Sequence, residues 1–248
     1  MRAITPAQLK TQGIALFLDV DGTLLDIAPR PESVVVANGL RADLTAAQDA
    51  LGGALALVSG RPIAELDRIF APLRLRASGP HGAEIRREAD GAVAAITTAC
   101  LGGEAWRQLN RLLDEFPGTY AENKKVSFAV HYPKMGIDAG ALEAALWRLM
   151  KRIGKGGAAL RLLAGKQVFE LQLSGFDKGR AIARFMDAEP FAGRMPVFIG
   201  DDAIDRAAFD TAAALGGVAY SVGVAIPGLS GSFAGPAAVR AWLHGLGQ

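Results

Sequence analysis

Ten residues decide the fold: Ile14 to Thr23 read IALFLDVDGT. The first five are apolar without a polar break, which is typical of a strand whose two faces are both covered. Two carboxylates, Asp19 and Asp21, follow directly, and Gly22 permits a tight turn away from the strand. Carboxylates that project from one strand end into one small space repel each other unless a cation lies between them. The stretch predicts a central strand that ends in a metal site; a solvated acidic turn or a helix cap is the alternative.

The same strand pattern recurs along the chain. Apolar runs at Ala54–Ser59 and Val197–Gly200 each end in polar residues, and a weaker run covers Val218–Val222. One helix is predicted between the first two runs, with Leu40 to Leu51 along one face, and another begins near Pro62. Alternating strands and helices indicate a doubly wound parallel sheet, in which ligands bind at the carboxyl ends of the strands. We therefore predict an α/β fold with a Rossmann-like core.

The middle of the chain has a different pattern, in which a helix and two strands occur twice. It predicts a small α+β unit inserted into the α/β chain. The predicted domains are a core formed by residues 1–101 and 175–248 and an inserted α+β cap formed by residues 102–174. The predicted elements are helices at Glu104–Phe116 and Asp138–Ile153, strands near Thr119–Asn123, Val126–Tyr132, Leu160–Leu163 and Gln167–Leu173, a loop at Gly154–Gly157, and a return helix at Lys178–Asp187.

Composition excludes several classes of function. The 248 residues include 27 basic and 25 acidic side chains, so the concentrated basic surplus of a nucleic-acid binder is absent. The single cysteine, Cys100, leaves no internal disulfide and no Cys-rich zinc site. No apolar run approaches the roughly 20 residues of a membrane span, and Met1–Gln12 lacks the pattern of a signal peptide. We expect a cytoplasmic monomer with a small-molecule substrate and with no nucleic-acid or membrane partner.

A second acidic motif follows another apolar strand. It consists of Asp201-Asp202 with Asp205 three residues further on. All the candidate ligands are oxygens, with no His or Cys nearby, and this favours Mg²⁺ over Zn²⁺. By itself, the Asp201-Asp202 pair is as typical of helix capping as of a metal site. Together with Asp19 and Asp21 it predicts a Mg²⁺ site whose ligands are Asp19, Asp21 and Asp201.

Groups that bind an anion are predicted at three further points. Ser59-Gly60-Arg61 lies where the N-terminus of the next helix can hold a phosphate, although a simple helix cap by Ser59 is the alternative. Lys178 opens another helix, where a cation opposes the helix dipole and so indicates a bound anion; a solvated surface lysine is the alternative. Thr23 can offer a hydroxyl and an N–H to an anion.

Two strands of the inserted unit alternate between apolar and polar residues. Each has one face for packing against the two helices and one polar face. A face that carries Ser, His, Lys and Glu suits a ligand with many hydroxyls, and an ordinary solvent-exposed sheet face is the alternative. The polar residues are Ser127, His131, Lys166 and Glu170, and the apolar residues are Phe128, Val130, Phe169 and Leu171.

In their chain order, the acidic and anion-binding motifs resemble those of the haloacid-dehalogenase (HAD) superfamily of phosphotransferases. The inserted unit resembles the sheet-bearing cap of that superfamily. The resemblance implies that Asp19 attacks phosphorus and forms an aspartyl-phosphate, and that Asp21 acts as acid and base. It also implies that Ser59, Lys178 and Mg²⁺ neutralise the phosphoryl oxygens during transfer.

Three further motifs narrow the resemblance to trehalose-6-phosphate phosphatases, and the similarity extends over nearly the whole chain. The motifs are GPHGAE at 79–84, ENKxxSxxxHY at 122–132 and GKxxxE at 165–170. The sequence departs from the usual family residues at Arg206, at Pro133 and at Gln172-Leu173. The resemblance implies that the disaccharide is held by Glu84, Lys124, Ser127, Lys166 and Glu170, and the full predicted substrate site adds Thr23, Gly60, Arg61, His81 and His131.

The predicted function is the Mg²⁺-dependent hydrolysis of trehalose 6-phosphate to trehalose and phosphate. One alternative is a phosphatase with the same chemistry that acts on sucrose 6-phosphate or a glycosyl-phosphoglycerate. A panel of substrates distinguishes these activities. A signalling receiver domain needs neither a second aspartate two residues after the first nor an inserted unit. A catalytically inactive sugar-phosphate sensor is disfavoured because the acidic and anion-binding residues are all intact.

Overall fold

The computed structural model describes residues 13–28, 33–154 and 159–247. The segment Met1–Gln12 and most of the loop predicted at Gly154–Gly157 lie outside these described residues. Contacts between Cα atoms divide the chain into two compact units. The large unit comprises Met1–Ile96 and Asp177–Gln248, and the small unit comprises Thr97–Phe176.

Helices and strands alternate over most of the chain. In order they are β1 (Ile14–Leu18), α1 (Leu40–Ala50), β2 (Leu55–Val58), α2 (Ile63–Phe70), β3 (Arg76–Gly79), β4 (Glu84–Arg86), β5 (Ala94–Ala95), α3 (Gly103–Leu113), β6 (Tyr120–Asn123), β7 (Ser127–His131), α4 (Ala139–Ile153), β8 (Leu160–Gly165), β9 (Val168–Leu173), α5 (Lys178–Met186), β10 (Met195–Gly200), a 3₁₀ turn (Ala203–Asp205), α6 (Arg206–Ala214), β11 (Val218–Val222), β12 (Gly231–Phe233) and α7 (Pro236–Leu246).

The large unit contains an eight-stranded sheet in the order β12-β11-β10-β1-β2-β3-β4-β5. Neighbouring strands are parallel from β12 to β3, and β4 and β5 are added antiparallel at one edge. β1 lies inside the sheet, and all five of its residues are buried. Its alternate residues enter different cores: Leu16 packs in the cluster that includes residues of α1, α2 and α7, and Phe17 packs in the cluster that includes residues of α5 and α6. Both faces are thus covered by helices, and the predicted α/β fold is confirmed.

Several short elements of the large unit were not predicted. β3 reads RASG, and β5 consists of two alanines, so neither presents an apolar run. These segments are strands because neighbouring strands pair with them: β3 pairs with β2, and β5 pairs with β4. β4, β12, α6 and α7 are likewise additions to the predicted set of elements.

The small unit is a four-stranded antiparallel sheet in the order β6-β7-β9-β8, with two helices. Its elements match the predicted ones to within a few residues. Phe128 and Leu171 are buried, as are the leucines along α3 and α4, which confirms the apolar face of the sheet. The side chain of Asp138 accepts a hydrogen bond from the backbone N–H of Ala141 at 3.0 Å and caps α4. No helix in the described part of the chain combines the length and the hydropathy needed to cross a bilayer.

Candidate active site

The first acidic motif leads out of β1 into a buried group of charges. The Nζ atom of Lys178, the first residue of α5, donates to Asp19 at 2.5 Å and to Asp205 at 2.6 Å. The three side chains are each no more than 6% exposed. Lys178 is therefore not a solvated surface lysine, and its charge compensates carboxylates from the ends of two neighbouring strands.

Asp19, Asp201 and Asp205 form a carboxylate cluster. Each offers one oxygen, and these oxygens all lie within 4.8 Å of one another. Asp205 also accepts hydrogen bonds from the backbone N–H groups of Asp201 at 3.1 Å and Asp202 at 3.3 Å. The loop after β10 is thus organised around Asp205. The Asp202 side chain accepts from the backbone N–H of Ala203 at 2.5 Å and caps the 3₁₀ turn, so the capping alternative holds for Asp202.

The loops after β1 and β10 meet at Gly22. Its φ is +73°, a conformation that glycine adopts readily. A Cβ atom at this position would lie 2.2 Å from Oδ2 of Asp201. A glycine is therefore required here by both the backbone conformation and the space beside the carboxylate cluster.

Burial dominates the electrostatics of the cluster. It raises the pKa of the Asp19 carboxyl well above its ordinary value; Lys178 opposes the rise, while Asp205 and Asp201 add to it. Burial lowers the pKa of Lys178, but the charges of Asp19 and Asp205 outweigh it, so this pKa is raised. Lys178 therefore stays charged, and Asp19 is the carboxyl whose ionised form needs more positive charge nearby.

The residues of the cluster fit a divalent cation. Three carboxyl groups share one ammonium, so their ionised forms together carry more negative charge than Lys178 balances. The candidate ligands are hard oxygen atoms, the type that Mg²⁺ binds. Thr23, which is fully buried, places its hydroxyl 3.4 Å from Oδ2 of Asp19.

The Asp21 carboxylate is held by Arg61. Nε and Nη2 of this arginine donate to the two oxygens of Asp21 at 2.7 and 2.8 Å, a bidentate pair. Nη1 donates to Glu65 in the first turn of α2. The side-chain contacts of Asp21 are thus with the guanidinium, while the carboxylates that group together are those of Asp19, Asp201 and Asp205.

The loop between β2 and α2 is held by its neighbours. Ser59 is buried, and its Oγ accepts from the backbone N–H of Arg61 at 3.1 Å. Its carbonyl accepts from the N–H of His81 at 3.0 Å. The N-cap of α2 is Pro62, so capping by Ser59 is excluded. Gly60, which is partly exposed, lies between these anchored residues.

Glu84 lies at the start of β4. Its Oε2 accepts from the backbone N–H of Ile63 at 3.1 Å, in the first turn of α2. A carboxylate is favourable at a helix N-terminus. The contact shows Glu84 supporting the loop that carries Arg61, a structural task that the sequence pattern did not indicate.

The small unit groups several of the predicted sugar-binding residues on one face of its sheet. Ser127 donates to Glu170 at 2.6 Å, and the two residues are 0% and 3% exposed, so an open solvated face is excluded at this point. Glu122 lies 3.2 Å from Nε2 of His131 and 3.9 Å from Nζ of Lys124. Lys166 is exposed in the turn between β8 and β9.

The residues at which the sequence departs from the family pattern have distinct surroundings. Gln172 is fully buried and accepts from Nε of Arg161 at 2.9 Å. Arg206 forms a surface ion pair with Asp210 at 2.9 Å. Pro133 lies just beyond β7.

Three contributors to these contacts were absent from the predicted site. Asp205 belongs to the carboxylate cluster, and its place three residues after Asp202 was the available signal. Glu65 lies in the first turn of α2, four residues after Arg61, and the chain turn at Pro62 between them was the available signal. Tyr120 stacks on His131 with ring centroids 4.6 Å apart, a cross-strand contact that depends on the register of β6 and β7.

Comparison with known proteins agrees with these motifs. The sequence model of the family described as Trehalose-phosphatase matches residues 17–225. The chain is 38% identical to the trehalose-6-phosphate phosphatase of Escherichia coli (strain K12) over 231 residues, which cover 93% of this chain and 85% of that protein. It is 38% identical to a probable trehalose-phosphate phosphatase of Sinorhizobium fredii over 213 residues, covering 86% of this chain and 79% of that protein.

Solved structures show the same fold. The C-terminal domain of a Candida albicans trehalose-6-phosphate phosphatase superposes with a TM-score of 0.80 at 18% identity, covering 99% of this chain and 97% of that one. A phosphatase of the HAD superfamily from Bacteroides thetaiotaomicron superposes with a TM-score of 0.61 at 17% identity, covering 94% of each chain. The fold is therefore that of HAD phosphatases with a cap domain. Together with the family match and the sequence identities, this places the chain in the trehalose-phosphatase family, whose members are phosphoric monoester hydrolases.

Proposed function

We propose that this enzyme hydrolyses trehalose 6-phosphate to trehalose and phosphate through an aspartyl-phosphate on Asp19. The observation that carries the proposal is the carboxylate of Asp19, buried at the end of β1 and bonded to Lys178 at 2.5 Å. A buried carboxylate beside a fixed cation is oriented to attack a phosphorus atom, and the same cation can neutralise a phosphoryl oxygen. Relatives that share 38% identity are named for this substrate.

Asp21 would act as the acid and then the base. Its side chain is 40% exposed, so a substrate oxygen or a water molecule can reach it. It would protonate the departing sugar oxygen, and it would afterwards remove a proton from the water that attacks the phosphoryl group on Asp19. Ser59, Gly60, Arg61 and Thr23 would supply hydrogen bonds to the phosphate.

Mg²⁺ fits the carboxylate cluster, with Asp19 and Asp201 as proposed ligands and Asp205 beside them. The Asp21 carboxylate bonds to Arg61 and is not one of the three grouped carboxylates. The ligand role predicted for Asp21 therefore stays a prediction. When bound, Mg²⁺ would supply positive charge that favours ionised Asp19 and screens the phosphoryl oxygens.

We further propose that the small unit selects the sugar. The buried Ser127–Glu170 pair and the group formed by Glu122, Lys124 and His131 can donate and accept hydrogen bonds toward hydroxyls. His81, Glu84 and Lys166 complete the substrate residues implied by the family pattern. The monomeric state and the cytoplasmic location stay predictions of the sequence.

The experiment is phosphate release from a panel of trehalose 6-phosphate, sucrose 6-phosphate, a glycosyl-phosphoglycerate and p-nitrophenyl phosphate. Each is measured with Mg²⁺ and with EDTA. We expect kcat/KM to be highest for trehalose 6-phosphate, turnover to stop in EDTA, and Asp19→Asn to be folded and inactive. Preference for another sugar phosphate would refute the substrate, and turnover by Asp19→Asn would refute the covalent step.

A further inference from the structure

Arg61 is shared between two carboxylates of the large unit. Asp21 receives Nε and Nη2, and Glu65 receives Nη1. The arginine side chain is 7% exposed, whereas those of Asp21 and Glu65 are 40% and 26% exposed. The buried guanidinium therefore links a surface-accessible carboxylate on α2 to the carboxylate proposed to handle protons.

The shape of the guanidinium makes this link directional. Its donors lie in one plane at fixed angles, so the acceptor on one nitrogen constrains where the others point. With Nη1 bound to Glu65, the edge formed by Nε and Nη2 is directed at Asp21, and the bidentate pair sets the plane of that carboxylate. Removing Glu65 would remove one acceptor that orients the guanidinium, and the plane of the Asp21 carboxylate would then be less constrained.

The helix that carries Glu65 is itself anchored. The Ile63 N–H bonds to Glu84 at 3.1 Å, and Ile63 and Leu66 are buried in the core cluster. Glu65 also lies 3.7 Å from Arg68, but that arginine is 65% exposed, and exposed ion pairs of this kind contribute little. Glu65 is thus a fixed acceptor for Arg61 in the first turn of α2.

We propose that Glu65 is a positioning residue for the acid–base step, acting through Arg61 on Asp21. The proposal rests on the proposed role of Asp21 as acid and base. It assigns no direct contact with the substrate to Glu65. Its effect should therefore grow with the dependence of the reaction on proton transfer to the leaving group.

The kinetic test uses two aryl esters that need protonation of the leaving group to different degrees. p-Nitrophenolate departs with little help, whereas phenolate is more basic. We expect Glu65→Ala to reduce kcat about ten-fold more for phenyl phosphate than for p-nitrophenyl phosphate. Glu65→Gln keeps an oxygen acceptor for Nη1 and should recover part of the loss. Equal losses on the two esters, or no loss, would overturn the proposal.

Two comparisons separate positioning from general destabilisation. Glu88 accepts from Arg76 at 2.7 Å in the same unit, so Glu88→Ala removes a comparable carboxylate and should leave both rates unchanged. Lysine lacks the planar guanidinium whose separate edges reach Asp21 and Glu65 at fixed angles, so the orientation set by Glu65 is lost with it. In an Arg61→Lys background, Glu65→Ala should therefore cause no further loss, and a loss as large as in the wild-type background would overturn the proposal.

The side-chain Nε–H resonance of Arg61, assigned by its absence in Arg61→Lys, provides a readout that does not depend on turnover. We expect it to shift or broaden in Glu65→Ala and to stay in place in Glu88→Ala. An unchanged resonance in Glu65→Ala would overturn the proposal. Wild-type turnover of phenyl phosphate by Asp21→Asn would instead refute the role of Asp21, and with it the effect proposed for Glu65. A shifted resonance in Glu65→Ala would still show that Glu65 orients Arg61.

Discussion

Replacing Lys178 by methionine tests the charge balance of the carboxylate cluster. The change keeps an unbranched side chain but removes the ammonium that lies 2.5 Å from Asp19 and 2.6 Å from Asp205. Both carboxylates are buried, so water cannot replace the lost contacts. Removing one partner of a buried ion pair costs roughly 3–5 kcal/mol. We expect a loss of this size in the free energy of unfolding when EDTA is present.

Mg²⁺ should reverse part of that loss without restoring activity. Lys178→Met removes one positive charge from beside the three carboxyl groups, so the cluster should attract a divalent cation more strongly. Ligand binding to the native state raises stability by mass action. The rise in Tm on adding Mg²⁺ should therefore be larger for the variant than for the wild type. Phosphate release should stay absent, because the cation that neutralises phosphoryl oxygens has gone.

The assay is urea unfolding and thermal unfolding, each in EDTA and in Mg²⁺, together with phosphate release. Lys134→Met, which alters an exposed lysine, is the matched control and should behave like the wild type. A Lys178→Met protein that loses less than about 1 kcal/mol in EDTA would refute the reasoning, since it would mean that the buried carboxylates do not need this ammonium.

Three further changes test other parts of the site. Asp21→Asn should reduce phosphate release from trehalose 6-phosphate by roughly 10²–10⁴-fold and from p-nitrophenyl phosphate by much less; equal losses would contradict the acid role. Gly22→Ala would place a Cβ 2.2 Å from Oδ2 of Asp201, so its Tm should fall further than that of the control Gly216→Ala. Gly216 has a similar φ of +78° but open space around it, so equal falls in Tm would mean that the clash at residue 22 is relieved. Glu170→Ala should reduce kcat/KM for trehalose 6-phosphate about ten-fold and leave p-nitrophenyl phosphate turnover unchanged, whereas parallel losses would contradict sugar binding.

The small unit shows what strand alternation predicts and what it does not. Its period of two correctly separated Phe128 and Leu171 from Ser127 and Glu170, because alternation is a local property of an extended backbone. Alternation cannot tell whether a polar residue is solvated. The hydrogen bond between Ser127 and Glu170, 43 positions apart in the chain, depends on the pairing of β7 with β9, and their burial depends on tertiary packing.

By itself, the sequence determined the α/β class and the inserted α+β pattern, and it predicted Asp19 as the centre of the site. These follow from the apolar run of β1, from helical periodicity and from a carboxylate at a strand end, all of which are local. Tertiary structure alone decided that Lys178 bonds to Asp19 and Asp205. The adjacency of β1 and β10 brings the two carboxylates together, and the packing of α5 places Lys178, 159 residues from Asp19, beside both. Tertiary structure also decided that Arg61 bridges Asp21 and Glu65. The physical reason is that contacts between distant segments are set by the order and register of strands, which composition and periodicity do not encode.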